Sequence, residues 1–145
     1  MKRVMKCPQN VHFIIMECPR SGQSAYIFNF WRGNQNMIIK PDNEMLSYSG
    51  RIDFDDRLAP VLVYACSSIG MKFTGTSLKA VIVNHRSCWT NELGYFIDGE
   101  QKRFTLSSDE EKKTYTLAEG LSEGTHELLL FKRMDSCHTF TFYGF

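Results

Sequence analysis

Leu93-Gly94-Tyr95-Phe96-Ile97-Asp98-Gly99-Glu100-Gln101-Lys102-Arg103-Phe104-Thr105-Leu106 is the stretch that decides the fold. Two runs suited to strands, Leu93 to Ile97 and Lys102 to Leu106, stand on either side of Asp98-Gly99. Asp-Gly between such runs is among the strongest hairpin signals, because a type I′ turn needs positive φ at both central residues. The same grammar of short extended runs and turn residues continues outward in both directions. Toward the C-terminus, Lys113 to Ala118 predicts a strand and Glu119 to Gly124 a glycine-rich link. Thr125 to Arg133 predicts another strand. Its centre, Leu128-Leu129-Leu130-Phe131, is continuously apolar, as in a strand covered on both faces. Cys137 to Phe145 closes the series, with Phe140 and Phe142 alternating with Thr139 and Thr141.

Toward the N-terminus, Ile69, Met71 and Phe73 alternate with Gly70, Lys72 and Thr74. A turn at Gly75-Thr76 then leads to Leu78–Val83. Val61 to Tyr64 is short and apolar. Leu46, Tyr48, Ile52 and Phe54 share one parity, as one half-buried strand from Leu46 to Phe54 requires. Asp55-Asp56-Arg57 and Pro60 turn the chain after it. The first forty or so residues are less legible: Val11 to Met16 and Ala25 to Trp31 are apolar enough for strands, and Trp31 reads as core. Helical spacing is hard to find. About nine to twelve short strands result, and so many need a sandwich or a barrel to hide their apolar faces.

The bulk numbers agree with one soluble domain. The 145 residues are 43% hydrophobic, 23% charged and 13% aromatic, with eleven Phe. A chain of this length buries roughly 68–70% of its unfolded surface, enough for its own core. Flat rings favour pleated surfaces. Seventeen basic against sixteen acidic residues leave a net charge of +1. That balance argues against nucleic acid, since each neutralised phosphate needs a cation. Ser107 to Lys113 reads as a solvated turn. Five Cys at irregular spacing leave at least one unpaired and make no disulfide framework. No apolar run approaches a membrane span. The basic start, Met1 to Lys6, is followed by Pro8, Gln9, Asn10 and His12, which break any signal core. Localisation stays open, with an extracellular or periplasmic place expected if a polymer is the substrate.

Catalytic motifs are missing from the sequence. No G-x-S-x-G or Gly-Asp-Ser occurs, and Gly22-Gln23-Ser24 has Gln where an acid is needed. Cys137-His138 are neighbours, which a strand would point to opposite faces. His85 and Cys88 have no second pair to complete a zinc site. No glycine loop cradles phosphate. Neither a metal nor any cofactor is therefore expected. The most informative polar stretch is the loop Asn84 to Asn91, which holds Trp89. Trp89 reads either as a platform for a sugar ring or as a plug at the sandwich end or a domain interface.

Several blocks, in order, resemble a known family. They are Gly50-Arg51-Ile52-Asp53-Phe54, Ala59-Pro60, Lys72 to Leu78, Phe96-Ile97-Asp98-Gly99 and Tyr115-Thr116-Leu117-Ala118. Gly120-Leu121, Gly124-Thr125-His126, Leu130-Phe131-Lys132-Arg133 and Phe142-Tyr143-Gly144-Phe145 complete the series. Over residues 45–145 the chain is similar to the N-terminal domain of the family-two carbohydrate esterases, and residues 1–44 are an unmatched extension. The resemblance implies a jelly-roll sandwich of galactose-binding-domain type with little helix. It also implies a parent acetyl esterase acting on polysaccharides such as xylan and mannan. That parent's Ser and His would lie in a partner SGNH-type hydrolase domain, beginning near Phe145. This piece is then expected to be a non-catalytic accessory domain, with a stand-alone carbohydrate-binding module as the alternative. Asn84, Trp89, Asn91, Lys132 and Arg133 are the candidate sugar-contact or domain-interface residues. The expected partners are the hydrolase domain and acetylated plant polysaccharide.

Overall fold

The computed structural model describes residues 37–85 and 89–145. The strands expected at Val11 to Met16 and Ala25 to Trp31 lie outside the described residues. The chain divides after Met37, and Ile38–Phe145 is the sandwich unit. Ten strands make it up: β1 Ser47–Ser49, β2 Ile52–Asp53, β3 Val61–Leu62, β4 Ser68–Thr74, β5 Ser77–His85, β6 Glu92–Ile97, β7 Glu100–Thr105, β8 Lys113–Glu119, β9 Thr125–Lys132 and β10 Thr139–Gly144. No helix occurs among the described residues.

The founding hairpin is present. Asp98 has φ 53° and Gly99 φ 85°, the pair of positive values a type I′ turn demands. The pairing then nests outward from it: β6 with β7, β5 with β8, β4 with β9, β3 with β10. This long hairpin is rolled so that β6 also meets β9 and β10 also meets β5. Two antiparallel five-stranded sheets result, β1-β4-β9-β6-β7 and β2-β3-β10-β5-β8. That is the strand order of a jelly roll.

The core lies between the sheets. One sheet supplies Ile69, Met71, Phe73, Leu93, Tyr95, Leu128 and Leu130; the other supplies Leu62, Ala80, Ile82, Leu117, Phe140 and Phe142. Tyr95 crosses the gap and donates its hydroxyl proton to Leu117 O at 2.8 Å. Its buried polar end is thereby satisfied, as a core tyrosine requires.

Two strands differ from expectation. The run from Leu46 to Phe54 is not one strand. Gly50, with φ 99°, breaks it into β1 and β2, which join opposite sheets. The parity survives only as far as Ile52: Leu46 is buried and Tyr48 and Ile52 pack against the core, while Phe54, past the end of β2, is 43% exposed. The second difference is β9, which is covered on one face only. Its residues alternate strictly, and Leu129 is 42% exposed. An unbroken apolar run matched both readings, because leucine fits an inner face and a half-open outer face alike.

Candidate functional site

The inward row of β9 reads His126, Leu128, Leu130, Lys132. Lys132 therefore arrives at the end of the sandwich on the core face and is 0% exposed. A buried ammonium must be hydrogen-bonded to be tolerated. Lys132 Nζ donates to Met134 O at 2.5 Å and to Asp135 O. Burial pulls its pKa below the usual lysine range, and Asp135 and Cys137 partly offset that. Its stem fills the core while its head closes the loop of residues 133–138.

The same loop holds Trp89. His138, 1% exposed, sits with Nδ1 3.1 Å from Asp135 Oδ1 and Nε2 3.2 Å from both Trp89 N and Trp89 O. With Nδ1–H donating to the carboxylate, Nε2 is left to accept the Trp89 N–H. His138 and the Cys137 N–H hold Asp135 below the usual carboxylate range. The main chain of Trp89 is thus anchored, while its side chain is 73% exposed.

A second set of bonds works beside this. Asn84 ends the inward row of β5 and is buried. Its Nδ2 donates to Ser107 O at 2.6 Å, and its Oδ1 accepts from Asn91 Nδ2 at 2.8 Å. Asn91 O accepts the Leu106 N–H at 2.8 Å. These bonds tie the end of β5, the start of β6 and the segment after β7. Asn91 Oδ1 is buried with no hydrogen-bond partner among the described residues. Arg133 is on the rim and pairs with Glu92 at 3.1 Å, which Arg103 also approaches at 3.8 Å.

The five candidates from the sequence therefore gather at one end of the sandwich. Asn84, Asn91 and Lys132 are buried and turned to neighbouring strands and loops; Trp89 and Arg133 face solvent. Sequence reasoning missed Asp135 and Ser107, and weighed His138 only as a base for Cys137. The Asp135-x-x-His138 spacing in a loop was the signal available. Cys137 is exposed and free, as is Cys66. His85 bonds Thr141 Oγ1 at 2.8 Å. Among the described residues no cluster of His, Cys, Asp or Glu is placed to hold a metal.

Residues 48–145 match the family model described as Carbohydrate esterase 2 N-terminal. The chain belongs to carbohydrate esterase family 2. Within this family, it is similar to Cellulase/esterase CelE of Acetivibrio thermocellus, with 31% identity over 95 residues. That match covers 66% of this chain and 11% of CelE. It is also similar to a family two carbohydrate esterase from Clostridium thermocellum solved in complex with cellohexaose, at 29% identity and TM-score 0.61. There it covers 68% of this chain and 30% of that one. The CBM36-1 domain of a xylanase from the Trinervitermes trinervoides hindgut metagenome is matched at TM-score 0.53. That likeness, at 11% identity, spans 74% of this chain and 92% of the module and concerns the fold alone. The chain thus spans less than a third of these esterases' length and carries the family's N-terminal domain.

Proposed function

We propose that this chain is the accessory domain of a polysaccharide acetyl esterase. In this reading it performs no hydrolysis and packs against and supports a serine hydrolase domain of SGNH type. Residues 45–145 are the family domain and residues 1–44 an extension to it. The observation that carries the proposal is the match to the family's N-terminal domain over residues 48–145, on a chain that covers only 30% of the esterase with cellohexaose. The buried networks around Lys132 and Asn84 support it, because they stiffen the end of the sandwich as a docking element needs. The experiment is acetate release from acetylated xylan and from 4-nitrophenyl acetate by the purified chain. Release at the buffer rate is expected. Turnover abolished by an active-serine inhibitor would overturn the reading.

One observation favours a second reading, a carbohydrate-binding module able to act alone. Trp89 is 73% exposed on a backbone fixed by His138. A rigid, exposed indole costs little entropy when a sugar ring stacks on it. Calorimetry with soluble xylan and mannan separates the two. Saturable binding lost in Trp89→Ala at unchanged Tm supports the module.

A further inference from the structure

A second place on the sandwich has the lining of a ligand site, and no sequence motif marked it. It is a hollow of about 360 Å³ beside β1 and β2, bounded by Pro41, Asp42, Leu46, Tyr48, Phe54 and Arg57. Its floor is apolar, with Leu46 and Pro41 buried. Phe54 forms a wall, 43% exposed, and its ring meets Tyr48 edge-on at 5.1 Å between centroids. Tyr48 donates its proton to Pro41 O at 2.8 Å, so its remaining capacity is as an acceptor. Burial, with Asp42 adding to it, pushes the Tyr48 pKa up to about 12, and the phenol stays neutral.

The polar rim is unspent. Asp42 and Arg57 line the hollow, and neither forms an ion pair among the described residues. Asn43, also at the rim, uses Oδ1 to accept the Met45 N–H at 2.9 Å, which leaves its amide as a donor. The wall is preorganised as well. Asp53 Oδ1 accepts the Asp55 N–H at 2.9 Å, and Asp56 Oδ1 the Leu58 N–H at 2.8 Å. These side-chain turns fix the segment that presents Phe54 and Arg57.

A mixed lining of this kind selects its ligand class. A purely apolar solute would leave Asp42 and Arg57 desolvated without partners, which is unfavourable. A charged ligand gains little net, because the lining holds one carboxylate and one guanidinium of opposite sign. A pyranose ring fits both demands: an apolar C–H face for the Phe54 ring, and hydroxyls that both donate and accept for Asp42, Asn43 and Arg57. We propose that this hollow is a subsite for one neutral pyranose unit of a polysaccharide chain, held on Phe54 and oriented by Asp42 and Arg57. The choice of a sugar rests on the proposed role in a polysaccharide esterase.

The test is a nitrogen-15 chemical-shift titration of the 145-residue chain with cellohexaose, xylohexaose and mannohexaose. Saturable shifts centred on Asp42, Tyr48 and Arg57 are expected, with roughly millimolar affinity for at least one sugar. Phe54→Ala and Arg57→Ala should each weaken binding by about tenfold, the usual effect of losing one stacking or charged contact. Lys102→Ala, on β7 at the opposite edge of the sheet from β1, should leave it unchanged. Arg57 is exposed and its side chain makes no hydrogen bond or ion pair among the described residues, so its variant stays readable if Phe54→Ala proves unstable. Absence of saturable shifts, or loss of binding in Trp89→Ala alone, overturns the proposal. Tighter binding of polygalacturonate than of every neutral sugar overturns the assignment to a neutral ring. Acetate release by the chain would instead overturn the accessory role and leave the titration to be read on its own terms.

Discussion

The inward row of β9 carries a basic side chain at each end, and the two are satisfied differently. Lys132 closes one end through carbonyls alone. His126 closes the other through a carboxylate: Nδ1 lies 2.6 Å from Asp98 Oδ2 and Nε2 lies 2.9 Å from Ser122 O. Both neighbours are acceptors, so both ring nitrogens donate and the imidazole is held as a cation. The bond to Asp98 first, and the one to Ser122 second, raise its pKa above the ordinary 6.5. Folding therefore takes up a proton. The contribution is complete below about pH 6.5 and is lost as pH rises through the folded-state value. Asp98 is held low, by the Glu127 N–H first and His126 second, so its share is lost only as pH falls through its depressed value. The wild-type Tm should fall as pH rises from about 6.5 through the raised folded-state value, and His126→Gln should fall distinctly less. Parallel falls in thermal melts would show that the pair contributes nothing. Such roles explain what the sequence withheld about the site. Asn84, Trp89, Asn91, Lys132 and Arg133 were found as polar or aromatic residues near strand ends. Which of them turn inward depends on strand register and on partners far off in the chain, such as Ser107 for Asn84 and His138 for Trp89.

At the scale of elements, the decisive device is the corner between β1 and β2. Three residues of β1 pair with β4, two residues of β2 pair with β3, and Gly50 makes the change of sheet between them. At φ 99° a side chain is strained, and a Cβ there would stand 2.8 Å from both the Cα and the Oγ of Ser67. Ser67 has little room to give. It is buried, its Oγ reaches Arg51 O at 3.3 Å, and its carbonyl accepts the Lys132 N–H at 2.9 Å. Gly50→Ala should cost about 2–3 kcal/mol, combining backbone strain with overpacking. Ser49→Ala, on the exposed side of β1, should stay within about 0.5 kcal/mol. Urea unfolding of the two variants checks this, and equal midpoints would refute it. The parity of Leu46, Tyr48 and Ile52 was legible because side chains alternate whether or not the strand changes sheets. The change itself was hidden, since a glycine inside an alternating run also fits a bulge. From β4 onward, turns at Gly75-Thr76, Asp98-Gly99 and Glu119 to Gly124 bounded the strands almost completely, because each turn's chemistry is local.

Across the whole molecule, nesting about one hairpin sets where the sandwich is firm. β9 and β10 lie at the centres of their sheets: β9 pairs with β4 over seven residues and with β6 over five, while β10 pairs with β5 over five and with β3 over only two. β1 and β2 lie at the outer edges and are three and two residues long. The other edges are better defended. β7 carries Glu100, Lys102 and Arg103, and charged side chains discourage pairing with another chain. β8 pairs with β5 along most of its length. The two ends of the described chain are also joined, by Ile39 N to Phe145 O at 2.7 Å and Phe145 N to Ile39 O at 3.0 Å. Local opening free energy follows the number of bonds and buried contacts that must break together. β5 is paired as fully as β9, over five residues with β10 and six with β8, so amide exchange should be slowest in β9 and β5, next in β4, β6 and β10, and fastest in β1 and β2. The Ile39 and Phe145 amides should exchange at matched rates, because one opening event frees both. The sugar hollow is built on β1 and on the segment after β2, the least protected edge. A bound sugar should therefore slow exchange at Tyr48 and Phe54 while leaving β9 and β10 unchanged, as a ligand that binds only the closed edge must. If β1 and β2 exchanged as slowly as β9 without ligand, the edge would belong to the central cooperative unit, and this ordering of the sandwich would be wrong.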